Sequence, residues 1–257
     1  MSRTIPLEKD IIFGPVDSRR LGVSIGINLL PTNKKICSYN CLYCFYGYTP
    51  KITEVEWSNL LPPKNKIFSS IDRLVEQITL GLIKPDFITF AGNGEPTLHP
   101  DFPEIVDYLL SKISILNNKP GTALFTDATT FASNVILNAS AKLDQTLVKI
   151  DLVDEETYQF LNRPFKYIKI KEIAQRIFAL PNLRVQTAVV KINGNIYTDD
   201  VLDYYISLIK ICDPIQVQLY NIIYPTAKKG LEEVSDGDLQ KLKLILEKQI
   251  KTKIVIF

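Results

Sequence analysis

The chain has 257 residues, 46% of them hydrophobic and 23% charged, with 30 Lys and Arg against 28 Asp and Glu for a formal charge of +2. These values exclude extensive disorder and a strongly basic surface that would by itself point to nucleic acid, and no run approaches the roughly 18 apolar residues of a bilayer span. The start, MSRTIPLEKD, lacks the apolar stretch of a secretory signal, so the expectation is a cytoplasmic protein with reduced thiols.

Residues 22–30 (GVSIGINLL) alternate as a strand does and run directly into a loop carrying Cys37, Cys41 and Cys44. After a proline-containing break at 61–66, Ile67, Phe68, Ile71, Leu74, Val75 and Ile78 repeat at helical spacing, and Gly81 supplies a stop. The next apolar run, 87–90, leads to Gly92-Asn93-Gly94-Glu95. Ile105, Val106, Leu109, Leu110 and Ile113 then share a helical face before a strand at 123–125. Phe131, Val135, Ile136 and Ala139 form a short helix before a strand at 147–150, which ends at Asp151. Ile168, Ile170, Ile173, Ile177 and Phe178 precede a strand at 185–190, and Val201, Leu202, Tyr205, Ile206 and Ile209 one at 215–220. A last helix is expected over 239–249, with 253–257 as an edge strand.

Six such βα units require parallel strands, because each helix returns the chain to the end where the next strand starts. A closed (β/α)8 barrel takes about 250 residues, and the long loops at 45–65 and 221–235 leave room for six units rather than eight. The pattern suits an open or partial barrel and a doubly wound sheet alike, and in both the chemistry belongs at the C-terminal strand ends. No repeat, low-complexity tract or Gly/Ser linker divides the chain. Residues 1–257 therefore read as one domain, with 1–20 as an N-terminal extension and 226–257 as a C-terminal helix and edge strand.

Three of the four cysteines fall within eight residues, as Cys37-Ser-Tyr-Asn-Cys41-Leu-Tyr-Cys44. In a reducing compartment such a group holds metal more often than a disulfide. A structural zinc site takes four ligands and a [4Fe-4S] electron carrier four cysteines, whereas this loop offers three. A cluster on three thiolates leaves one iron open to a substrate or cofactor, which points to catalysis. The spacing alone equally permits three cysteines that merely lie close in a loop, or zinc completed by His99, the one histidine, or by Cys212, and with it a non-catalytic metal-binding or electron-transfer module. Cys212, at a helix end before Asp213-Pro214, reads first as a buried structural thiol.

The C-x3-C-x-aromatic-C loop, with Tyr43 as the aromatic, resembles the signature of the radical S-adenosylmethionine (radical SAM) superfamily, and residues 90–97 (FAGNGEPT) resemble the Gly-Gly-Glu motif that follows its second strand. Residues 13–31 and 151–174, with the step Leu161-Asn-Arg163-Pro164, are similar to small radical SAM iron-sulfur oxidoreductases related to the core of wybutosine-forming tRNA enzymes. The resemblance covers about residues 11–225.

It implies a partial (β/α)6 TIM-like barrel with parallel strands, in which Cys37, Cys41 and Cys44 hold a [4Fe-4S] cluster and the methionine end of S-adenosyl-L-methionine (SAM) completes the fourth iron. Gly92, Asn93, Gly94 and Glu95 would orient the methionine ammonium, and Tyr43 would lie near the adenine. The later strand ends offer Thr126 and Asp127, Lys149 and Asp151, and Gln186 and Thr187 to the ribose and carboxylate. Of these, Asp127, Asp151 and Gln186 are the expected contacts, one from each pair. Relatives often read Thr-Asn-Gly where this chain has Thr126-Asp127-Ala128.

The implied activity is reductive cleavage of SAM to a 5′-deoxyadenosyl radical that abstracts hydrogen, fed by a flavodoxin- or ferredoxin-like one-electron donor. The implied substrates are a tRNA nucleoside, a peptide or a small metabolite, without DNA or membrane partners. Arg19 and Arg20 could reach a phosphate or carboxylate or serve in a strand-end ion pair. The aromatic run 45–48 and residues 220–225 depart from the pattern of close relatives, the first as a substrate mouth or a packing loop. Lys228-Lys229 and the lysines of 241–253 read as a solvated face before an RNA contact.

Overall fold

The computed structural model describes residues 4–51, 58–191, 194–222, 226–228 and 231–257. It begins with a hairpin in which β1 (Ile12–Ser18) pairs antiparallel with β2 (Gly22–Ile27). The expected extension 1–20 thus contains a strand. Its pattern is hidden because the register shifts between Phe13 and Val16 and most of its residues face solvent. β2 stops short of residue 30 because the Asn28 side chain bonds both the N–H and the C=O of Leu30, at 3.2 and 3.0 Å, and turns the chain.

From there strand and helix alternate: α1 (Lys64–Thr79), β3 (Phe87–Phe90), α2 (Phe102–Ile113), β4 (Gly121–Thr126), α3 (Asn134–Ala141), β5 (Gln145–Lys149), α4 (Glu155–Leu161), α5 (Ile170–Ile177), β6 (Leu183–Ala188), α6 (Asp199–Cys212), β7 (Gln216–Tyr220), α7 (Asp236–Gln249) and β8 (Lys253–Ile256). Helix α4 has no counterpart in the periodicity, since seven residues barely complete two turns. Its start is fixed instead by Asp154, whose side chain accepts from the Thr157 N–H at 2.7 Å.

The eight strands pair in chain order, and every pair after the first is parallel. The sheet is open, with β1 and β8 as its edges. One face is covered by helices: Ile67 and Leu74 of α1, Ile105 and Leu109 of α2, and Ile173 and Ile177 of α5 share one buried cluster with Ile88, Leu124, Val148, Val185 and Val217 of the strands. Each such side chain withdrawn from water contributes about 1.5–3 kcal/mol. Alternation turns the intervening strand residues to the inner face, where Leu21, Ala123 and Leu147 pack with Phe87 and Phe125 as a separate cluster. Helices on a single face select the partial barrel over the doubly wound sheet, which carries them on both. Above the apolar floor, the inner face turns polar with Lys149, Gln186, Gln218 and Tyr220.

Candidate active site

The loop after β2 that carries the cysteines is pinned on both flanks. On one side Ile36 bridges to Gly94: its N–H bonds the Asn93 carbonyl and its C=O accepts from the Glu95 N–H, both at 3.0 Å. Gly94 sits at φ +143°, and a Cβ there would lie 1.6 Å from the Ile36 oxygen, so only glycine permits the bridge. On the other side the Asn40 and Leu42 N–H groups bond the carbonyls of Asn162 and Leu161 at 3.0 and 2.9 Å, and Tyr39 bridges to Pro164. The step 161–164 singled out in the sequence is therefore the brace of the cysteine loop.

Cys37, Cys41 and Cys44 are all free thiols. Burial pushes Cys41 up to about 11, opposed by the charge of Lys149. Burial raises Cys37 well above its ordinary value, and the nearby Asp127 adds to that. Cys44 accepts a hydrogen bond from the Lys35 ammonium at 3.1 Å, and the same ammonium donates to the Gly47 carbonyl at 2.8 Å. Lys35 is only 5% exposed, so a cation is buried against the thiols. The sequence reading missed it, because lysines are rarely buried and the one signal was its place two residues before Cys37.

Tyr43 donates its hydroxyl to Oδ2 of Asp151. Asp151 is almost fully buried and also takes the Asn162 amide at 2.6 Å, the Lys149 ammonium at 2.8 Å and the Ala188 N–H at 3.1 Å. Burial alone would lower Lys149, yet Asp151 outweighs it and holds the ammonium charged, 4.2 Å above the Tyr43 ring. Lys149 and Asp151 were expected to divide between two faces; being two residues apart, they share one and form an ion pair. Asn162, which also reaches Cys41 Sγ at 3.6 Å, is a second group the sequence reading missed.

Glu95 is buried and fully partnered. Its Oε1 accepts from the Thr97 N–H, the Thr97 hydroxyl and the Thr126 hydroxyl at 3.1, 2.6 and 2.8 Å, and Oε2 accepts from the Asp127 N–H at 2.7 Å. Burial, then the Asp127 charge, nevertheless raise its carboxyl to about 8. Asp127 is raised as well by burial; it takes the Thr129 N–H and hydroxyl and lies 3.9 Å from Cys37 Sγ. Ala128 keeps a left-handed φ of +59°.

Asn93 is turned away from the cysteines. Its amide bonds the carbonyls of Glu8 and Pro31, and its oxygen accepts from the Glu8 N–H. Gln186 lies on the inner face but makes no side-chain hydrogen bond to the described residues, while Thr187 points to the helices and bonds the Ile150 carbonyl at 2.8 Å. Of the aromatic run, Tyr46 bonds Glu8 at 2.8 Å. Residues 223–225 and Lys229 lie outside the described residues. On α7, Lys243 pairs with Glu247 at 3.7 Å, as a solvated face does. A cleft of about 680 Å³ opens beside Cys37, bounded by Thr97, Thr129, Thr130 and Phe165, and lies within the range of small-molecule sites.

The site tests the metal alternatives left by the spacing. His99 accepts from the Asp101 N–H at Nδ1 and donates from Nε2 to the Pro62 carbonyl, so both ring nitrogens are occupied. Cys212 is buried in the core, its thiol directed at the Ile209 carbonyl. Neither completes a zinc site, and among the described residues no three His, Cys, Asp or Glu side chains converge on a single ion. A [4Fe-4S] cluster takes its thiolates on separate irons. Three free thiols on one braced loop, with a buried ammonium to offset their charge, fit that group.

The family model described as the Radical SAM superfamily matches residues 34–198, from the lysine pair before the cysteines to the start of α6. The chain belongs to the radical SAM superfamily. Superfamily members are enzymes of SAM-dependent radical chemistry, and the cofactors are SAM and a [4Fe-4S] cluster. The chain is 31% identical over 229 residues to a UPF0026 protein of Methanocaldococcus jannaschii, covering 86% of this chain and 66% of that one. It is 26% identical over 240 residues to a UPF0026 protein of Helicobacter pylori, covering 92% and 74%. In fold it is similar to SuiB of Streptococcus suis bound to the precursor peptide SuiA, with TM-score 0.63 at 13% identity over 90% of this chain and 48% of that one. It is also similar to an archaeal TYW1, with TM-score 0.56 at 14% identity over 90% and 74%. Among the described residues no helix is long and apolar enough to cross a membrane.

Proposed function

We propose that this chain is a radical SAM oxidoreductase whose [4Fe-4S] cluster, once reduced, cleaves SAM to methionine and a 5′-deoxyadenosyl radical that abstracts hydrogen from a substrate. The observation that carries the reading is the direct bridge between the cysteine loop and the glycine loop at Ile36 and Gly94, which ties the cluster ligands to the SAM-binding motif.

In this reading Cys37, Cys41 and Cys44 are the cluster ligands, and Lys35 offsets their negative charge. Gly92 and Gly94 let the backbone of 92–95 approach the methionine end. Asn93 and Glu95, whose side chains are already partnered, hold that backbone in shape. Tyr43 keeps its ring at the site through Asp151 and Lys149, and Asp127 and Gln186 remain as polar contacts for the rest of SAM. A flavodoxin- or ferredoxin-like donor supplies the electron in the cytoplasm. A peptide is one substrate class, supported by the peptide-bound neighbour, and a tRNA nucleoside another, supported by the sequence resemblance and the TYW1-like fold.

The test is anaerobic reconstitution with iron and sulfide, reduction, and assay of 5′-deoxyadenosine from SAM. The expected result is a cluster and deoxyadenosine from the wild type and from Cys212→Ala, and neither from Cys41→Ala. A protein that bound a single zinc and released no deoxyadenosine would overturn the reading.

A further inference from the structure

Arg20 lies in the turn between β1 and β2, a turn held by Ser18, whose hydroxyl accepts from the N–H groups of both Arg20 and Leu21 at 3.3 Å. Leu21 is set into the apolar floor of the inner face, and the Arg20 guanidinium reaches across to the far side of the sheet. Its central carbon stands 4.7 Å from the Tyr220 ring, at the end of β7, and 5.3 Å from the Phe257 ring, just beyond β8.

A guanidinium carries five donors and no acceptor. Arg20 makes no side-chain hydrogen bond or ion pair with the described residues, and its buried Nε has no partner among them. Ring faces attract the charge but accept none of those protons in the plane of the guanidinium. Burial accordingly lowers its pKa, and the neighbouring Arg19 adds to that. A second orphan lies on the same face of β7, two residues before Tyr220: Oε1 of Gln218 is buried and has no partner among the described residues. Buried polar atoms without partners call for an explanation. Here two of them face the inner side of the sheet, one a cationic donor and one an acceptor.

The place is suited to a substrate. Tyr220 feels the charges of both Lys149 and Asp151, and that ion pair in turn anchors Tyr43 between the second and third cysteines. Arg20 therefore stands on the side of the sheet that leads to the cysteine loop. Asp151 is already saturated by four donors and has no valence to spare for it.

We infer that Arg20 is a substrate-binding residue, which receives an oxyanion, carboxylate or phosphate, of a molecule lodged on the inner face, while Gln218 accepts a hydrogen bond from the same molecule. The inference deepens the proposed function and rests on it for the word substrate. The anion site itself is testable without turnover.

The experiment is anaerobic equilibrium dialysis of the reconstituted full chain against labelled inorganic phosphate in one series and labelled acetate in another, at constant ionic strength set with chloride. The expected result is saturable retention of at least one of the two anions, weakened at least about tenfold in Arg20→Gln and less in Arg20→Lys, which keeps the charge but loses the fork. The favoured anion identifies the group as phosphate or carboxylate. No saturable retention of either anion by the wild type, or equal retention by Arg20→Gln with an unchanged circular dichroism spectrum, would overturn the inference. Should Arg20→Gln not fold, equal retention by Arg20→Lys and the wild type would count against it. Deoxyadenosine release is assayed on the same samples. Anion binding without it removes the radical reading and keeps the site, whereas release without anion binding removes only the site.

Discussion

Tyr43 and Asp151 are joined by a hydroxyl–carboxylate hydrogen bond that spans 108 residues of sequence and links the cysteine loop to the end of β5. The bond fixes the aromatic ring of the C-x3-C-x-aromatic-C loop from behind, through a carboxylate that no solvent reaches.

Tyr43→Phe keeps the ring and removes that bond. A hydrogen bond to a buried charged group contributes about 1.5–3 kcal/mol, and the variant should lose that much stability in urea denaturation while retaining iron on reconstitution. An unchanged urea midpoint would show that the bond contributes nothing to the fold.

Lys149→Met strands Asp151 in the interior with its ammonium removed. Breaking a buried pair from one side costs about 3–5 kcal/mol, so the variant should unfold at markedly lower urea. Lys64→Met, which cuts the solvent-exposed bridge to Glu104, should leave the midpoint within error. Equal effects from the two substitutions would mean that burial does not govern the Lys149 pair.

Two glycines with positive φ separate strain from space. Gly81 has φ +71° and open space within 4 Å of where a Cβ would stand, whereas at Gly94 a Cβ would meet the Ile36 carbonyl oxygen at 1.6 Å. Gly81→Ala should cost about 1–2 kcal/mol and keep full iron content. Gly94→Ala should break the bridge to Ile36 and lower iron incorporation, read as iron and sulfide per chain. Normal iron loading in Gly94→Ala would show that the bridge does not organise the cysteines.

The metal-free protein should lose stability with rising pH through Glu95. Its carboxyl moves from 4.5 to about 8 on folding, because of burial and then the Asp127 charge, so the native state binds this proton more tightly than the unfolded chain. That contribution is complete below about pH 4.5 and declines as the pH rises toward 8. Asp127→Asn removes the second cause and should flatten the decline, raising the urea midpoint at pH 8 more than at pH 5. A wild-type midpoint that climbs across this interval, once other groups are matched by comparison with Glu95→Gln, would contradict the assignment.

The alternation of strands and helices was readable because residues such as Ile67, Ile71 and Leu74 must meet one face of the sheet, and that requirement imprints a period. β1 left no such imprint, since its hairpin position depends on pairing with β2 and not on a buried stripe. The cysteines and the glycine loop were legible as motifs, because their chemistry is carried by residue type and spacing. Lys35, Asn162 and the Arg20 contacts were not. Each acts through residues distant in sequence, and a lysine or asparagine beside a motif gives no sign of which way its side chain turns. The motif reading also placed Asn93 among the SAM contacts, whereas its side chain is committed to Glu8 and Pro31.

That commitment of Asn93 has a dynamic consequence. One amide binds the N-terminal segment at Glu8 and the turn at Pro31 to the glycine loop, and the glycine loop is bridged to the cysteine loop at Ile36. Opening any one of these segments breaks bonds in the others, so they form a cooperative unit of local unfolding. The amides of Glu8, Ile36 and Glu95 should then exchange with solvent at a common rate, and the thiols should become accessible to oxidants together, as one event.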